Sequence, residues 1–213
     1  MSTVGIFGDA AGTSRDRASG VAVGLVINNL DPQGQGRVQV KLPNFSDLDV
    51  GHWARIAVLM AGNQRGTYFL PEIGDEVLVA FENGDIERPF VLGGLWNGQD
   101  SPPDSNSDGK NNKRLIKSRS GHIVRFDDTD GAEKIEIIDK SGNNAITFDT
   151  ANNTIKIASA QDITIDASQG SIKLTAQKVS INSTSDTSIE ADGELKLQAS
   201  STTTIKGSVV NIN

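Results

Sequence analysis

Cysteine is absent from this chain of 213 residues, which excludes disulfide bonds and thiolate metal sites. Histidine is scarce as well, because His52 and His122 are the only two. They lie far apart in the sequence, each beside a glycine, and neither stands in a motif typical of hydrolases or zinc enzymes. We therefore expect a structural or surface role for both, and we predict no catalytic, cofactor-binding or metal site.

Long apolar segments are also missing. No stretch approaches the length of a membrane-spanning helix, and the first residues, MSTVGIFGDA, contain no basic region followed by an apolar one. We expect a protein that is made in the cytoplasm without a signal peptide. Any action outside the cell then requires delivery by another route.

An excess of positive charge is lacking too. Lysine and arginine together number 20 against 27 aspartates and glutamates, and the formal net charge is -7 at pH 7. Proteins that bind nucleic acids usually carry a basic surface, so nucleic acid is not an expected partner. The aspartates of Asp127–Gly131 do not match a calcium loop, since Phe126 stands at the first ligand position. They are interpreted as an acidic β-turn.

Aromatic residues make up only 5% of the chain, and none follows Phe148. Both tryptophans, the one tyrosine and both methionines lie before residue 99, so only that part has the composition of a conventional globular domain. Trp53 and Trp96 stand in apolar β-type sequence. They are predicted to lie in the core of this domain and not to form a stacking platform for a ligand.

The second half of the chain contains a repeat instead. Aliphatic residues recur from Ile157 to Ile212 at steps of 8, 9, 7, 8, 8, 8 and 7. Most have an aliphatic partner two residues earlier, and this spacing places both side chains on one face of a β-strand. The residues predicted to share that face are Ile155, Ile157, Ile163, Ile165, Ile172, Leu174, Val179, Ile181, Ile189, Leu195, Leu197, Ile205, Val210 and Ile212.

One chain cannot bury this face alone, because turns of about eight residues are too short to enclose an interior. Identical chains around a common axis are the simplest closed solution, and three walls suit a pair of aliphatic side chains per repeat. The pattern therefore predicts the core of a trimeric β-prism. An antiparallel meander is the alternative, and it is less favoured because Asp192-Gly193 is the one Asn-Gly or Asp-Gly turn after residue 150.

The remaining segments complete an all-β fold. Short β-type runs between Val21 and Leu95, separated by Gly, Pro and Asn turns, predict a small closed Greek-key barrel of the OB type. The fold class is then an N-terminal OB-fold barrel followed by a C-terminal intertwined trimeric β-helix, or β-prism, needle. The predicted segments are an N-terminal arm (1–19), the barrel (20–98), a linker (99–116), neck strands (117–150) and the octad-repeat trimeric β-helix (151–213).

Five motifs in the chain carry a resemblance to a known family. They are GRVQVKLP (36–43), GHWARIAVLMAG (51–62), TYFLPEIGDEVLVAFE (67–82), DIERPFVLGGLWNG (85–98) and KSRSGHIVRFDD (117–128). Together with the octad repeat they cover about residues 20 to 213. In these segments the chain closely resembles the phage baseplate assembly protein V / VgrG-type spike family.

The resemblance implies the homotrimeric central spike of a contractile injection apparatus, such as a phage tail, a tailocin, an extracellular injection system or a type VI secretion system. In such spikes the barrels sit on a hub and the β-helix points at the target envelope. No large hub-like region precedes the barrel, which implies a separate hub protein at the OB-fold end. A small PAAR-type tip protein is expected to dock at the C-terminal end, on Val209, Val210, Asn211, Ile212 and Asn213.

The departures from the family are informative. The linker holds no lysozyme-like insertion, so cell-wall cleavage is not expected, and no histidine follows His122 to bind iron at the tip. The leading hypothesis is a non-enzymatic part that organises the baseplate centre and pierces the target envelope. The alternative is a trimeric fibre or adhesin that binds a surface glycan, against which the lack of aromatic residues after Phe148 counts. An enzyme of the polysaccharide-lyase solenoid type comes third, because its coils are far longer.

Overall fold

The structure is a computed structural model that describes residue 18 and residues 20–43 and 50–212. The predicted N-terminal arm lies outside the described residues except for Ala18. Ala18 donates a backbone hydrogen bond of 2.8 Å to the carbonyl oxygen of Gly84. The chain divides into two compact units, Met1–Asp162 and Ile163–Asn213, and each is described by itself.

The N-terminal part of the first unit is a β-barrel. Its strands are β1 (Val21–Asn28), β2 (Val38–Lys41), β3 (His52–Ile56), β4 (Ala61–Gly62), β5 (Arg65–Gly66), β6 (Glu76–Phe81) and β7 (Pro89–Leu95), with a 3-10 turn at Glu82–Gly84 between the last two. The barrel closes in the order β1-β2-β3-β7-β6, while β4 and β5 form a separate hairpin. Among the described strands of the barrel, only β3 and β7 pair in parallel. The predicted closed barrel is confirmed.

The barrel interior is aliphatic because alternate residues of each strand face inward. Gly24 allows β1 to approach β6 closely, since a Cβ atom at this position would lie 2.9 Å from Cγ2 of Val79. Phe81 and Leu70 pack at the margin. The buried core consists of Val26, Val38, Val40, Leu42, Ala54, Val77, Val79 and Val91.

Neither tryptophan belongs to this core. Trp96 follows the last residue of β7 and is 70% exposed, so its predicted core position is wrong. Trp53 is half-buried, and the Arg37 guanidinium lies 5.5 Å from its ring centroid. The buried interior consists of valine, leucine and alanine side chains.

The loop between β1 and β2 is organised by Asp31. One carboxylate oxygen accepts a hydrogen bond of 2.7 Å from Nη2 of Arg37, and the backbone N–H groups of Gln33 and Gln35 donate to the same carboxylate at 3.0 and 2.8 Å. The Arg37 guanidinium is the largest cause that holds the pKa of Asp31 far below its usual range. The ionised carboxylate therefore stabilises this loop.

Asp31→Asn should lower the melting temperature of the barrel at neutral pH by a few degrees, because an amide cannot accept all of these bonds from a cation and two amides. The pKa of Asp31 is depressed on folding, so its stabilisation is present above the unfolded pKa near 4 and is lost as pH falls through the folded value. In thermal melts between pH 7 and pH 2, the difference in melting temperature between the two proteins should become smaller as the pH falls. A constant difference across this range would contradict the role of Asp31.

A second sheet follows the barrel. Its strands are β8 (Lys113–Lys117), β9 (Ile123–Asp127), β10 (Lys134–Ile138), β11 (Ala145–Asp149) and β12 (Thr154–Ala158). They form an antiparallel meander in the order β12-β11-β10-β9-β8. The first strand begins in the segment predicted as linker, and the last contains Ile155 and Ile157, the first aliphatic pair of the octad repeat. This pair therefore lies in a meander strand.

The second unit contains no helix or strand between residues 163 and 212. Its one backbone–backbone hydrogen bond among the described residues joins the Gly170 N–H to the Ala167 carbonyl oxygen at 3.0 Å. Every described residue of the unit is exposed. The β-prism is thus not formed within one chain, and it stays a prediction about several chains. No helix in the described part of the protein is long and apolar enough to cross a membrane.

Candidate functional site: an apolar sheet face and an aliphatic repeat

The sheet formed by β8 to β12 has two faces of opposite character. Because directly paired residues share a face, Arg125, Glu136 and Thr147 lie side by side on one of them. Nε of Arg125 donates a hydrogen bond of 2.9 Å to Glu136, and Nζ of Lys134 lies 3.5 Å from the same carboxylate. Glu136 is buried. This face is mainly polar and is called the polar face, although at one end of the strands it also carries Ile123, Ile138, Ala145 and Ala158.

Asp104 of the linker forms an ion pair with a residue of this sheet. Its carboxylate accepts a hydrogen bond of 3.2 Å from Nζ of Lys113, the first residue of β8. The backbone N–H of Asn106 is the largest cause that holds the pKa of Asp104 below its usual range, followed by the Lys113 side chain. Charged groups in this region are therefore paired within the chain.

The opposite face is apolar and uncovered. Its side chains form two rows that cross the sheet perpendicular to the strands, as the pairing of Ile135 with Phe126 and Phe148 and of Ile137 with Val124 and Ile146 shows. All of them are between 37 and 67% exposed. The apolar face consists of Phe126, Ile135, Phe148 and Ile155 in one row and of Ile116, Val124, Ile137, Ile146 and Ile157 in the other.

The exposure of the two faces is the reverse of what is usual in an antiparallel sheet. Antiparallel sheets usually bury the apolar face and leave the polar face in water, whereas here Glu136 is buried and its neighbour Ile137 is half exposed. A contiguous apolar patch of this kind is typical of an interaction surface. The apolar face is therefore the first part of the candidate site.

The second part of the site is the aliphatic repeat of residues 163–212. The first side chain of each pair is 48 to 55% exposed and the second is 70 to 86% exposed. The pairs are Ile163 and Ile165, Ile172 and Leu174, Val179 and Ile181, Leu195 and Leu197, and Val210 and Ile212. The same exposure recurs at each pair, which indicates that successive octads have similar local conformations.

The predicted trimer-core residues thus fall into two groups. Ile155 and Ile157 join the apolar face, while the others, from Ile163 to Ile212, lie outside any strand in the second unit. Ile189 and Ile205 have no aliphatic residue two positions earlier and are 61 and 65% exposed. Of the predicted tip-docking residues, Val209, Val210, Asn211 and Ile212 are exposed and Asn213 lies outside the described residues.

Sequence reasoning predicts the neck strands but misses that their apolar residues form one uncovered face. The signal is present, because apolar residues two apart occur at Val124 and Phe126, at Ile135 and Ile137, and at Ile146 and Phe148. These pairs precede Ile155 and Ile157 and have the same spacing of two. They are separated by longer intervals than the octads, so a search for a period near eight does not detect them.

The histidines lie apart from the apolar face. Nδ1 of His122 accepts a hydrogen bond of 3.2 Å from the backbone N–H of Lys140, and Nδ1 of His52 lies 3.3 Å from a carboxylate oxygen of Glu87. Among residues 18, 20–43 and 50–212, no three His, Cys, Asp or Glu side chains are grouped as a metal site. Asp127 accepts hydrogen bonds from the hydroxyl and the backbone N–H of Thr129, as expected of a β-turn.

Comparison with known proteins gives a match that is centred on the barrel. Residues 22–96 match the family described as the type VI secretion system/phage-baseplate injector OB domain. The chain is 28% identical to the type VI secretion system spike protein VgrG3 of Vibrio cholerae over 127 residues, which covers 52% of this chain and 12% of the relative. It is 31% identical to the spike protein VgrG1a of Pseudomonas aeruginosa over 93 residues, covering 40% of this chain and 14% of the relative.

A third relative carries a different name. The actin cross-linking toxin VgrG1 of Vibrio cholerae is 26% identical over 127 residues, again covering 52% of this chain and only 12% of the relative. The chain therefore spans a small fraction of the length of the curated relatives that it matches. The match supports the assignment of the barrel as an injector OB domain, and it does not extend to the other parts of these relatives.

Proposed function

We propose that this chain, a protein of the VgrG and baseplate assembly protein V type, forms the homotrimeric central spike of a contractile injection apparatus. The expected resemblance is confirmed by the match of residues 22–96 to the injector OB domain and by relatives that are named spike proteins. The spike would organise the centre of the baseplate and pierce the target envelope. The apparatus is a phage tail, a tailocin, an extracellular injection system or a type VI secretion system.

The exposed apolar face of the second sheet is the observation that carries this proposal. Its nine side chains, from Ile116 to Ile157, remain in water in a single chain. Burying an aliphatic or aromatic side chain of this size stabilises a protein by about 1.5 to 3 kcal/mol. Three copies arranged around an axis would cover each other's face, and each copy would contribute the same surface.

The aliphatic repeat supports the same assembly. Residues 163–212 contain no strand pairing within the chain, so their backbone groups can pair with other copies. Three chains wound together would turn the exposed pairs inward and join the backbones in continuous ladders. Stiffness follows, because bending such a needle would break contacts along its whole length.

This function requires no chemistry from the chain, and we propose that it is not an enzyme. Sheath contraction would supply the force, and the spike would transmit it along its axis. The proposed partners are a separate hub protein at the barrel end, a PAAR-type tip protein on Val209–Asn213 and, on firing, the target envelope. The protein would be made in the cytoplasm and assembled into the baseplate of a phage-tail-like particle.

The test of this proposal is the mass of the purified chain in solution. Sedimentation equilibrium at micromolar concentration should give three times the chain mass of 22.6 kDa. Amide hydrogen exchange of the same sample should show slow exchange across residues 163–212, because their N–H groups would be hydrogen-bonded between chains. A folded monomer, or a trimer in which this segment exchanges at the rate of an unfolded chain, would contradict the proposed spike.

A further inference from the structure

We infer that the barrel has a second binding site, a cleft between the β4–β5 hairpin and the β1–β2 loop, which accepts an acidic and partly apolar peptide segment of another protein. The cleft has a volume of about 890 Å³. Its lining includes Gly34–Gly36 of the β1–β2 loop, Met60, Arg65 and Phe69 in and beside the hairpin, and Arg55 of β3. The inference rests on the proposed function in one respect: the protein that contributes the peptide segment would be a further component of the baseplate.

The hairpin wall of the cleft has a fixed shape. The backbone N–H of Thr67 donates a hydrogen bond of 3.0 Å to the carbonyl oxygen of Met60, which closes the hairpin. Gly66 has φ of 152°, and a Cβ atom at this position would lie 2.5 Å from the same oxygen. Only glycine fits there, so the hairpin conformation is built into the sequence.

The β1–β2 loop and the side chain of Arg55 are also held in place. Asp31 accepts a hydrogen bond of 2.8 Å from the backbone N–H of Gln35, which fixes the loop that contains Gly34 and Gly36. The guanidinium of Arg55 lies 5.1 Å from the ring centroid of Phe90, a cation–π distance that orients this side chain. A site that is ordered before binding loses little conformational entropy when a ligand enters.

The charge of the cleft is opposite to that of the whole chain. Arg55 and Arg65 line it, and among the described residues that line it there is no aspartate or glutamate, although the net charge of the protein is -7. Within the described part of the chain, neither arginine forms an ion pair with a carboxylate. Arginine binds carboxylates through paired N–H donors, so these two side chains favour an acidic ligand.

The apolar character of the cleft indicates what accompanies the carboxylate. Met60, Tyr68 and Phe69 all line it and are all exposed. Leu59, beside the hairpin, is 96% exposed. Methionine and aromatic side chains around an arginine are typical of protein interfaces. The occupant is therefore a peptide segment in which an aspartate or glutamate stands next to an aliphatic or aromatic residue.

A nucleic acid is the other ligand to consider, because OB-type barrels can bind single strands. Such binding requires a basic groove that follows the phosphate backbone over several nucleotides. Here the cleft offers two arginines, since Arg37, which follows the β1–β2 loop, is paired with Asp31 at 2.7 Å. The charge distribution favours the peptide.

The experiment uses the full chain and a random dodecapeptide phage library as the probe. Selection on the immobilised wild-type protein should enrich peptides with an acidic residue next to an aromatic or aliphatic one. The best synthetic peptide, measured by fluorescence anisotropy, should bind the Arg55→Glu/Arg65→Glu variant at least tenfold more weakly. Arg88→Glu is the matched control, because Arg88 is an exposed arginine outside the cleft, and it should change the affinity less than twofold.

Arg65→Gln serves as a milder second variant, with a smaller loss expected, in case the double charge reversal disturbs the hairpin. The inference is overturned if selection on the wild-type protein enriches no peptide relative to selection on the double variant, or if the enriched peptides are basic or uncharged. It is also overturned if a dT12 oligonucleotide binds the wild-type protein and does not bind the same variants. Sedimentation of each variant should give the wild-type mass. An altered mass would show that the substitutions disturb the proposed trimer, whereas the affinity for the peptide measures binding at the cleft alone.

Discussion

Ile137→Asp should prevent assembly and leave a folded monomer of 22.6 kDa. Ile137 lies in the central strand β10, between Val124 and Ile146 in one row of the apolar face, and is half exposed in the single chain. A carboxylate there stays in water in a monomer. In the proposed trimer three carboxylates would enter the apolar seam, at a cost of several kcal/mol each.

Lys156→Asp is the matched control for this variant. Lys156 is also exposed in the single chain, and it pairs with Thr147 on the polar face of the same sheet. This substitution introduces the same side chain on the opposite face, and the protein should remain trimeric by light scattering coupled to size exclusion. Circular dichroism should show the β-signal of the barrel in both variants. Equal masses and equal melting temperatures for the two variants would mean that the apolar face is not part of the interface.

The barrel is predictable from the sequence because its strands alternate and its turns are marked. Val38 and Val40 of β2 and Val77 and Val79 of β6 have the period of two, and all four are buried. The β4–β5 hairpin is not predictable as strands, since two paired residues in each strand cannot show a period. The prediction for Trp96 is wrong because the apolar run before it ends with β7, and the indole follows the strand.

The apolar face is predictable only in part. The sequence predicts its strands β9, β10 and β11, but a strand pattern alone does not indicate whether the apolar or the polar side is covered by the rest of the chain. Strand β8 lies largely in the segment predicted as linker. Its sequence does not show the period of two, because its only apolar residues, Leu115 and Ile116, are adjacent and lie on opposite faces of the strand. Lysines and an arginine flank them. For the octads, we propose that the backbone groups pair with other copies, and a single chain cannot show such pairing.

The cleft beside the hairpin escapes sequence reasoning for a different reason. Arg55 and Arg65 are separated in the sequence and are brought to one cleft by β3 and by the hairpin that follows it. Only the arrangement of the loops shows that the two arginines share a cleft with Met60, Tyr68 and Phe69, and that no carboxylate is among the lining residues that the structure describes.

Removal of Val209–Asn213 should abolish binding of a PAAR-type tip protein while the trimer persists. Val209 and Ile212 are 72 and 86% exposed in the single chain, and in the proposed needle they would lie in its last layer, where no further repeat covers them. The trimer should survive, because the apolar face and the earlier pairs from Ile163 to Leu197 are retained. Co-purification of a co-expressed PAAR-type tip protein measures binding, and sedimentation measures assembly. If the shortened chain retains the tip protein, docking at these residues is disproved.

A deletion removes backbone as well as side chains, so a pair of adjacent substitutions separates the two contributions. Ile212→Lys replaces the more exposed aliphatic residue of the last pair with a cation, whereas Asn211→Lys adds the same charge one position earlier on the opposite face of an extended strand. If side-chain packing against the tip protein or within the last layer of the needle is required, only Ile212→Lys should release the tip protein. Loss of binding in both variants would instead indicate that a charge near the end of the chain is sufficient to prevent docking. Retention of binding in both variants would indicate that the tip protein contacts the backbone and would exclude a role for the aliphatic pair.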